Sequence, residues 1–318
     1  MITSVEPLVS IVLCTYNGEI FIRKLIDSLL DQTYKNIEII ALDDCSADST
    51  FFILSDYTVR HPSIKVYQNE SNIGFNRNFE KAIQLSAGDY IAICDQDDIW
   101  LPAKIETLVK HIKDNWLIFS NSDLINENDQ LIEKSLLSDA FSIKKSSYRS
   151  ILINNFVTGH TCLFSRSFID QIYPMPERGY YDWWMGFVAL YHHKIAFINL
   201  KLTLYRQHDE SVINKEIKPS ANNQSERNKV DFRSTSTMLT VLAGCSRIAK
   251  ADRAFITTIF SMYHTIDEKQ ELKWKIFIYL NFNQLFAFEK NRGFFSTTRI
   301  KKSSAFVENL LQVKKSIS

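Results

Sequence analysis

Short apolar, β-branched runs recur through the first two thirds of the chain, and each gives way to a polar cluster and then to apolar residues at helical spacing. Residues 8–14 form the first run, followed by the polar turn Thr15, Tyr16, Asn17, Gly18. Phe21, Ile22, Leu25, Ile26, Leu29 and Leu30 then recur with the period of one helix face over 20–31. The pattern repeats: a strand over 37–42 ending in Asp43 and Asp44, a helix carrying Phe51, Phe52, Leu54 and Tyr57, and a strand over 64–67. After a loop over 69–74 come a helix over 75–85 and a strand over 90–94. Such alternation predicts an α/β fold with a mostly parallel, doubly wound central sheet flanked by helices. Ligands of these sheets lie beyond the carboxyl ends of the strands.

Those ends are where the chemistry gathers. The strand over 90–94 runs into Asp95, Gln96, Asp97 and Asp98, three carboxylates within four residues. Like charges at that density repel unless a cation sits among them. A divalent ion with hard oxygen ligands, sharing its shell with substrate phosphates, suits the stretch. The competing interpretation is a solvated acidic turn ahead of a helix beginning near Leu101 and Pro102. No G-x-G-x-x-G follows the first strand and no G-x-x-x-x-G-K occurs there, so phosphate would be held through a metal and not by a glycine cradle. Tyr16 can stack on a nucleobase or serve as an aromatic lid on the core. If the acidic stretch stays extended, Asp95 and Asp97 share one face, and Asp98 reads as a cap of the next helix.

Further along, strands are expected over 117–123, after a loop beginning at Asn155, and over 197–205, with surface loops and a short helix over 124–150. Asn121 and Asp123 either line the site or belong to a loop. His160 follows Gly159 and is either a ligand contact or a satisfied structural histidine. Asp182 precedes Trp183 and Trp184; apolar rings beside a carboxylate raise its pKa and improve it as a base, and helix capping is compatible with that role. His208, just past a strand, is either a metal ligand beside carboxylate and diphosphate or a surface histidine. Residues 214–236 are polar and read as a linker or lid. Helices are expected over 237–249 and 253–265, and an aromatic helix over 274–288. Over 290–318 seven basic residues (Lys290, Arg292, Arg299, Lys301, Lys302, Lys314, Lys315) face one acid, Glu308. That segment either meets an anionic membrane or packs as a helical appendage with a solvated tail.

Composition narrows the class. A chain of 318 residues with 45% hydrophobic content is globular with a sizeable core, and a net charge of +1 gives no field for nucleic acid. The five cysteines are scattered without C-x-x-C spacing, as expected of reduced core residues in the cytosol. No signal peptide is recognised at the N-terminus, and no apolar run is long enough to span a bilayer.

The motifs V-S-I-V-L-C-T-Y-N, L-D-D-C-S-A-D-S-T, N-x-G-x-x-x-N and G-D-Y-I-A-I-C-D-Q-D-D-I-W, in that order, resemble family 2 glycosyltransferases of the GT-A fold over residues 8 to about 210. Val157 to Thr161, Tyr181 to Trp184 and Tyr205 to His208 look like the rhamnosyltransferase-like branch, whose members make bacterial surface polysaccharides. Cys45 departs from the pattern, standing where many relatives have Gly, and 79–82 replaces the usual small-residue helix start. The resemblance implies a GT-A catalytic domain over 1–213, with a nucleotide half to about 123 and an acceptor half over 124–213, then the 214–236 linker and a helical C-terminal region over 237–318. It implies a metal-dependent, inverting transfer from a UDP- or dTDP-sugar to a saccharide acceptor, expected to be lipid-linked. Asp97 resembles the direct metal ligand for Mn²⁺ or Mg²⁺, with His208 as a further one. Asp95 resembles the ribose or outer-sphere partner, and Asp44 the acceptor of a pyrimidine N–H. Thr15, Tyr16, Asn17, Asn72, Arg77, Gln96, His160 and Trp183 complete the nucleotide-sugar site, with Asp182 as the base. Arg77 as an exposed helical residue remains open. The expected location is the cytoplasm, peripheral on the inner face of the membrane through the basic tail. A nucleotidyltransferase and a non-catalytic nucleotide-sugar-binding protein are the alternatives.

Overall fold

The architecture comes from a computed structural model, which describes residues 6–208, 224–287 and 297–317. The chain forms two compact units: one of residues 1–141, 157–177 and 184–207, the other of 142–156, 178–183 and 208–318.

The first unit is built on one sheet. Its strands are β1 (Val9–Thr15), β2 (Ile37–Asp43), β3 (Ile64–Gln68), β4 (Tyr90–Cys94), β5 (Ile99–Trp100), β6 (Leu117–Ile125), β7 (Leu131–Ser135), β8 (Cys162–Ser165) and β9 (Ile195–Arg206). They lie in the order β3-β2-β1-β4-β8-β6-β9-β5, with β7 paired to β6. The expected parallel region is present: β1 pairs in parallel with β2 and β4, and β2 with β3. The other half is mixed, because β8 enters antiparallel between β4 and β6 while β6 and β9 run parallel.

Helices α1 (Ile22–Leu30), α2 (Thr50–Arg60), α3 (Phe75–Leu85) and α4 (Lys104–Ile112) cross between strands. Their apolar stripes explain their seats. Ile22, Leu25, Ile26 and Leu29 of α1 are fully buried against Val9, Ile11 and Leu13 of β1 and Ile39 and Ala41 of β2. A short α5 (Ile169–Ile172) follows β8, and α6 (Tyr181–Tyr191) precedes β9. Strand β7 was not anticipated: Leu131 is 68% exposed, so its stretch carries no core-facing alternation to read. Asp98 does not cap a helix as expected, since α4 starts only at Lys104 with Ala103 at its N-cap.

The second unit is helical: α7 (Gln224–Ala243), α8 (Lys250–Thr265), α9 (Glu271–Leu285) and α10 (Thr297–Ile317). Residues 224–236, expected in a polar linker, are the first turns of α7, and 209–223 lie outside the described residues. Met238, Leu242, Ile256, Ile259, Ile278 and Phe282 form part of its buried interior. The segment 142–156 joins these helices through Tyr148, whose hydroxyl donates to Asp252 (2.6 Å), and Arg149, 3.9 Å over the Phe255 ring. Gly179, at φ +85°, approaches α7 so closely that a Cβ there would lie 2.4 Å from Met238 Sδ.

The expected basic tail is largely helix α10, and much of its charge is engaged within the unit. Arg299 is buried and donates to Tyr279 O (2.9 Å), Lys314 donates to His264 O (2.6 Å), and Lys315 pairs with Glu268. Among the described residues no helix is long and apolar enough to cross a membrane.

Cys45 has φ +63°, a left-handed conformation that costs a side-chain-bearing residue roughly 1–2 kcal/mol and glycine almost nothing. This is the position where the family resemblance leads one to expect Gly. Cys45→Gly is therefore expected to raise unfolding stability, net of the unfolded-state entropy of glycine, by about 0.5–1 kcal/mol. Urea denaturation measures this, and a fall in stability would mean that the Sγ contact with Glu70 O at 3.7 Å outweighs the strain.

Candidate active site

The carboxyl ends of β1, β2 and β4 meet in the first unit. Thr15 and Asp43 are register partners across β1 and β2, and the Thr15 hydroxyl donates to Asp43 at 2.9 Å. Asp43 is fully buried and also accepts from Ser46 N (2.9 Å), Ser46 Oγ (2.5 Å) and Gln68 (3.1 Å). It therefore builds the turn. Asp44, also buried, accepts from Asn69 Nδ2 (2.8 Å), Ile73 N (2.9 Å) and Gly74 N (2.9 Å), and so shapes the 72–74 loop. Asn17, at φ +51°, accepts from Ala47 N at 2.9 Å.

Gln96 acts on the same turn. Its amide accepts from Tyr16 N (2.8 Å) and donates to Tyr16 O (3.1 Å), as a neighbouring strand would. Gly18 makes room for it, since a Cβ there would lie 2.6 Å from Gln96 Oε1. Of the residues expected to meet a donor, Thr15 and Asp44 are thus buried and Gln96 is engaged with backbone. Tyr16, 47% exposed, and Asn72 are open to solvent. Arg77 is half exposed and pairs with Glu80 and Glu177.

The acidic stretch departs from the extended geometry expected of it. The strand ends at Cys94 and the chain turns at Gln96 and Asp97, so the two-residue alternation that would place Asp95 and Asp97 together ends there. Instead Asp95 and Asp98 converge on His160, whose Nδ1 lies 3.6 Å from Asp95 Oδ2 and 3.9 Å from Asp98 Oδ2. One ligand atom from each of these three residues lies within 4.8 Å of the others. Asp97 is half buried.

Asp98 is wholly buried; one oxygen accepts from Arg206 N (3.0 Å) and the other has no hydrogen-bond partner. Burial, and then the charges of Asp97 and Asp95, push its pKa well above the carboxylate range. Burial likewise lowers the pKa of His160, against the pull of Asp95. The His160 ring stacks on Tyr205 with centroids 4.3 Å apart and meets Ser122 Oγ at 3.0 Å. At 1% exposure it stands behind Asp95, not at the surface where a donor was expected to touch it.

Two cations of this region carried no role in the sequence analysis. Lys104 is fully buried, donates to His160 O (2.5 Å) and Thr203 Oγ1 (2.7 Å), and sits 3.5 Å over the Trp100 ring. Burial brings its pKa down to about 7. In sequence it is an ordinary lysine in a first helical turn, and nothing marks it. Arg206 is equally buried; its place in the Tyr205-to-His208 motif was the available signal. Asn121, a candidate lining residue, is buried and donates to Leu137 O (2.8 Å) and Asn199 (2.9 Å). Asp123 lies 3.6 Å from Lys201.

Asp182, Trp183 and His208 belong to the second unit. Asp182 stands in the first turn of α6, where one oxygen accepts from Trp183 N (2.6 Å) and Asn155 Nδ2 (3.3 Å). Trp183, expected at the donor, is buried instead, and its indole N–H donates to Ile151 O at 2.5 Å. A ring so placed fills the interior. His208 is half buried, two residues past the end of β9.

The chain is similar to the Escherichia coli UDP-Glc:alpha-D-GlcNAc-diphosphoundecaprenol beta-1,3-glucosyltransferase WfaP, 30% identical over 206 residues, 64% of this chain and 79% of WfaP. It is 38% identical over 109 residues to an uncharacterized glycosyltransferase of Haemophilus influenzae, a match spanning only 34% of either chain. Among solved structures, Staphylococcus aureus TarS 1-349 in complex with UDP-GlcNAc superposes with a TM-score of 0.59 at 16% identity, over 98% of this chain and 91% of TarS. The mannosyltransferase PcManGT from Pyrobaculum calidifontis, in complex with GDP-Man and Mn²⁺, gives 0.56 at 10% identity, over 98% and 87%. At those identities the likeness is one of fold. Residues 10–173, which carry the strand ends described above, match the family model Glycosyl transferase family 2, and the chain belongs to that family.

Proposed function

We propose that this chain transfers a sugar from a nucleoside-diphosphate donor, UDP- or dTDP-linked, to a saccharide acceptor on a lipid carrier, with inversion at the anomeric carbon. The observation that carries the proposal is the carboxylate group at the end of β4, open at Asp95 and Asp97 and closed behind by Asp98 and His160. The acceptor class is supported by WfaP, whose name specifies a sugar on diphosphoundecaprenol. The catalytic region is residues 1–213.

The carboxylate oxygens of this turn fit Mn²⁺ or Mg²⁺, which take hard oxygen ligands. Asp98 and His160 are closed to solvent, whereas a donor diphosphate must reach the same ion. By the family resemblance Asp97 is the assigned ligand, with His208 as the second and Asp95 turned to the ribose or the outer sphere. When bound, the ion supplies positive charge for the departing diphosphate. Tyr16 offers a ring to the base, and Asn72 and Arg77 border it. Asp44 accepts three hydrogen bonds and keeps about one carboxylate lone pair for a pyrimidine N–H.

Asp182 takes the acceptor proton. The acceptor oxygen bonds to the anomeric carbon as the bond to the diphosphate breaks, the electron pair leaves with the diphosphate, and the proton moves to the carboxylate.

Contact with an anionic membrane on the cytoplasmic side is assigned to the outer face of α9. Leu272, Ile276 and Leu280, spaced four residues apart, are 70%, 52% and 57% exposed beside the exposed Lys273. An apolar stripe flanked by cations suits an interfacial helix.

Three measurements test these assignments. Asp97→Asn is expected to abolish Mn²⁺-dependent UDP-sugar binding in calorimetry with Tm unchanged; full activity of the wild type in excess chelator would remove the metal from the proposal. Asp182→Asn is expected to bind donor and metal as the wild type does, yet to transfer sugar about 10²–10⁴-fold more slowly. A loss under about tenfold would place the base elsewhere, and a parallel collapse of donor affinity would make Asp182 a binding residue. Leu272→Glu combined with Ile276→Glu is expected to reduce pelleting with phosphatidylserine vesicles, and high salt to reduce that of the wild type. Equal pelleting of variant and wild type would exclude this face.

A further inference from the structure

Arg206 closes β9 with a side chain that is fully buried. Its Nε donates to Asp97 O (2.7 Å), and its Nη1 donates to Asn126 O (3.0 Å) and Glu127 O (3.3 Å). Nη1 also lies 2.5 Å from the Asp129 carboxylate, which Lys24 engages from its other side. The Phe21 ring covers the guanidinium, 4.5 Å from centroid to Cζ, while Nη2 has no hydrogen-bond partner. The backbone N–H of the same residue holds Asp98 Oδ1 at 3.0 Å.

A lone buried ion pair is a poor source of stability, since an apolar side chain of similar volume often serves as well. What a guanidinium adds is a planar fork that sets several acceptors at fixed relative positions. Here the acceptors come from two separated segments, the acidic turn and the 126–129 turn, and the arginine that joins them closes β9. Two atoms that follow the Asp97 Cα are thus tied, its own carbonyl by the guanidinium and the side chain of the next residue, Asp98, by the Arg206 N–H. Asp97 stands in the turn that these two contacts hold, so they limit how the backbone bearing its carboxylate can move.

We infer that Arg206, with Asp129 as its counter-ion, is a positioning residue that fixes the direction of the Asp97 carboxylate and thereby the affinity of the site for its divalent ion. The inference rests on the proposed role of Asp97 as metal ligand, and nothing in it requires Arg206 to touch the donor. Asp129 is a selective point of attack. It is partly exposed and adopts φ +65°, a conformation asparagine tolerates, so Asp129→Asn removes the counter-charge with little disturbance of shape.

The test is titration of Mn²⁺ in the presence of UDP, followed by electron paramagnetic resonance of the free ion, on wild type, Arg206→Lys, Asp129→Asn and Asp97→Asn, alongside Tm and kcat. Arg206→Lys keeps the charge and loses the fork. It is expected to weaken Mn²⁺ binding about 10–100-fold, the range for outer-sphere partners of metal ligands, and to lower kcat while leaving the acceptor KM unchanged. Asp129→Asn is expected to move the Mn²⁺ constant in the same direction by a smaller factor, which keeps the inference testable if Arg206→Lys does not fold. Wild-type Mn²⁺ constants in folded Arg206→Lys or Asp129→Asn, with Asp97→Asn inactive toward the ion, would overturn the positioning role and leave Asp97 as ligand. A lowered Tm alone would mark Arg206 as structural. Wild-type Mn²⁺ binding by Asp97→Asn would overturn the metal assignment and the inference with it.

Discussion

Charge taken out of water at the end of β4 is the constraint around which the first unit is arranged. Asp98, Lys104 and Arg206 have no solvent exposure and His160 has 1%. An ionisable group so placed must find hydrogen bonds or counter-charge, or else lose its charge. Each of these does so by reaching an element distant in sequence. Asp98 takes the Arg206 N–H, Lys104 takes His160 O and Thr203, and Arg206 takes Asp97 O and the 126–129 turn. The acidic turn, the start of α4, the segment before β8 and the end of β9 are thereby held to one another. A shift in any of them would strand a buried charge.

This arrangement sorts the expected donor residues into two layers. Tyr16, Asn72, Arg77, Asp95 and Asp97 retain exposure, while Thr15 and His160 stand behind them and Gln96 ties the two turns together. A rigid back layer removes the conformational cost of assembling the front layer when a ligand arrives, which is how supporting shells raise affinity without touching the ligand. The lowered pKa of His160 and raised pKa of Asp98 follow from the same exclusion of water.

In the second unit the interactions are of another kind. Its helices meet through apolar faces, and its ion pairs, such as Lys275 with Glu271 and Glu308, lie at the periphery. Exposed pairs of this sort contribute little each. The basic residues of the C-terminal helix therefore add less free positive charge than their number suggests, because Arg299, Lys314 and Lys315 already have partners in the unit.

Periodicity alone determined the order of strands and helices as far as β4, because each of those elements buries one face and its apolar spacing records that face. The bounds of α3 (Phe75–Leu85) and β4 (Tyr90–Cys94) were legible to the residue. The motifs at the strand ends marked the site and its family, since the carboxyl ends of parallel strands converge wherever such a sheet forms. The tertiary structure decided which polar residues face outward. Asp95 and Asp98 converge on His160 because the chain turns after Cys94. Trp183 fills the interior through a bond to Ile151 O, and Lys104 is buried although it reads as an exposed helical lysine. β7, a short and exposed strand, exists through pairing with β6. Each of these outcomes depends on a partner remote in the chain, and local hydrophobic spacing carries no record of such partners.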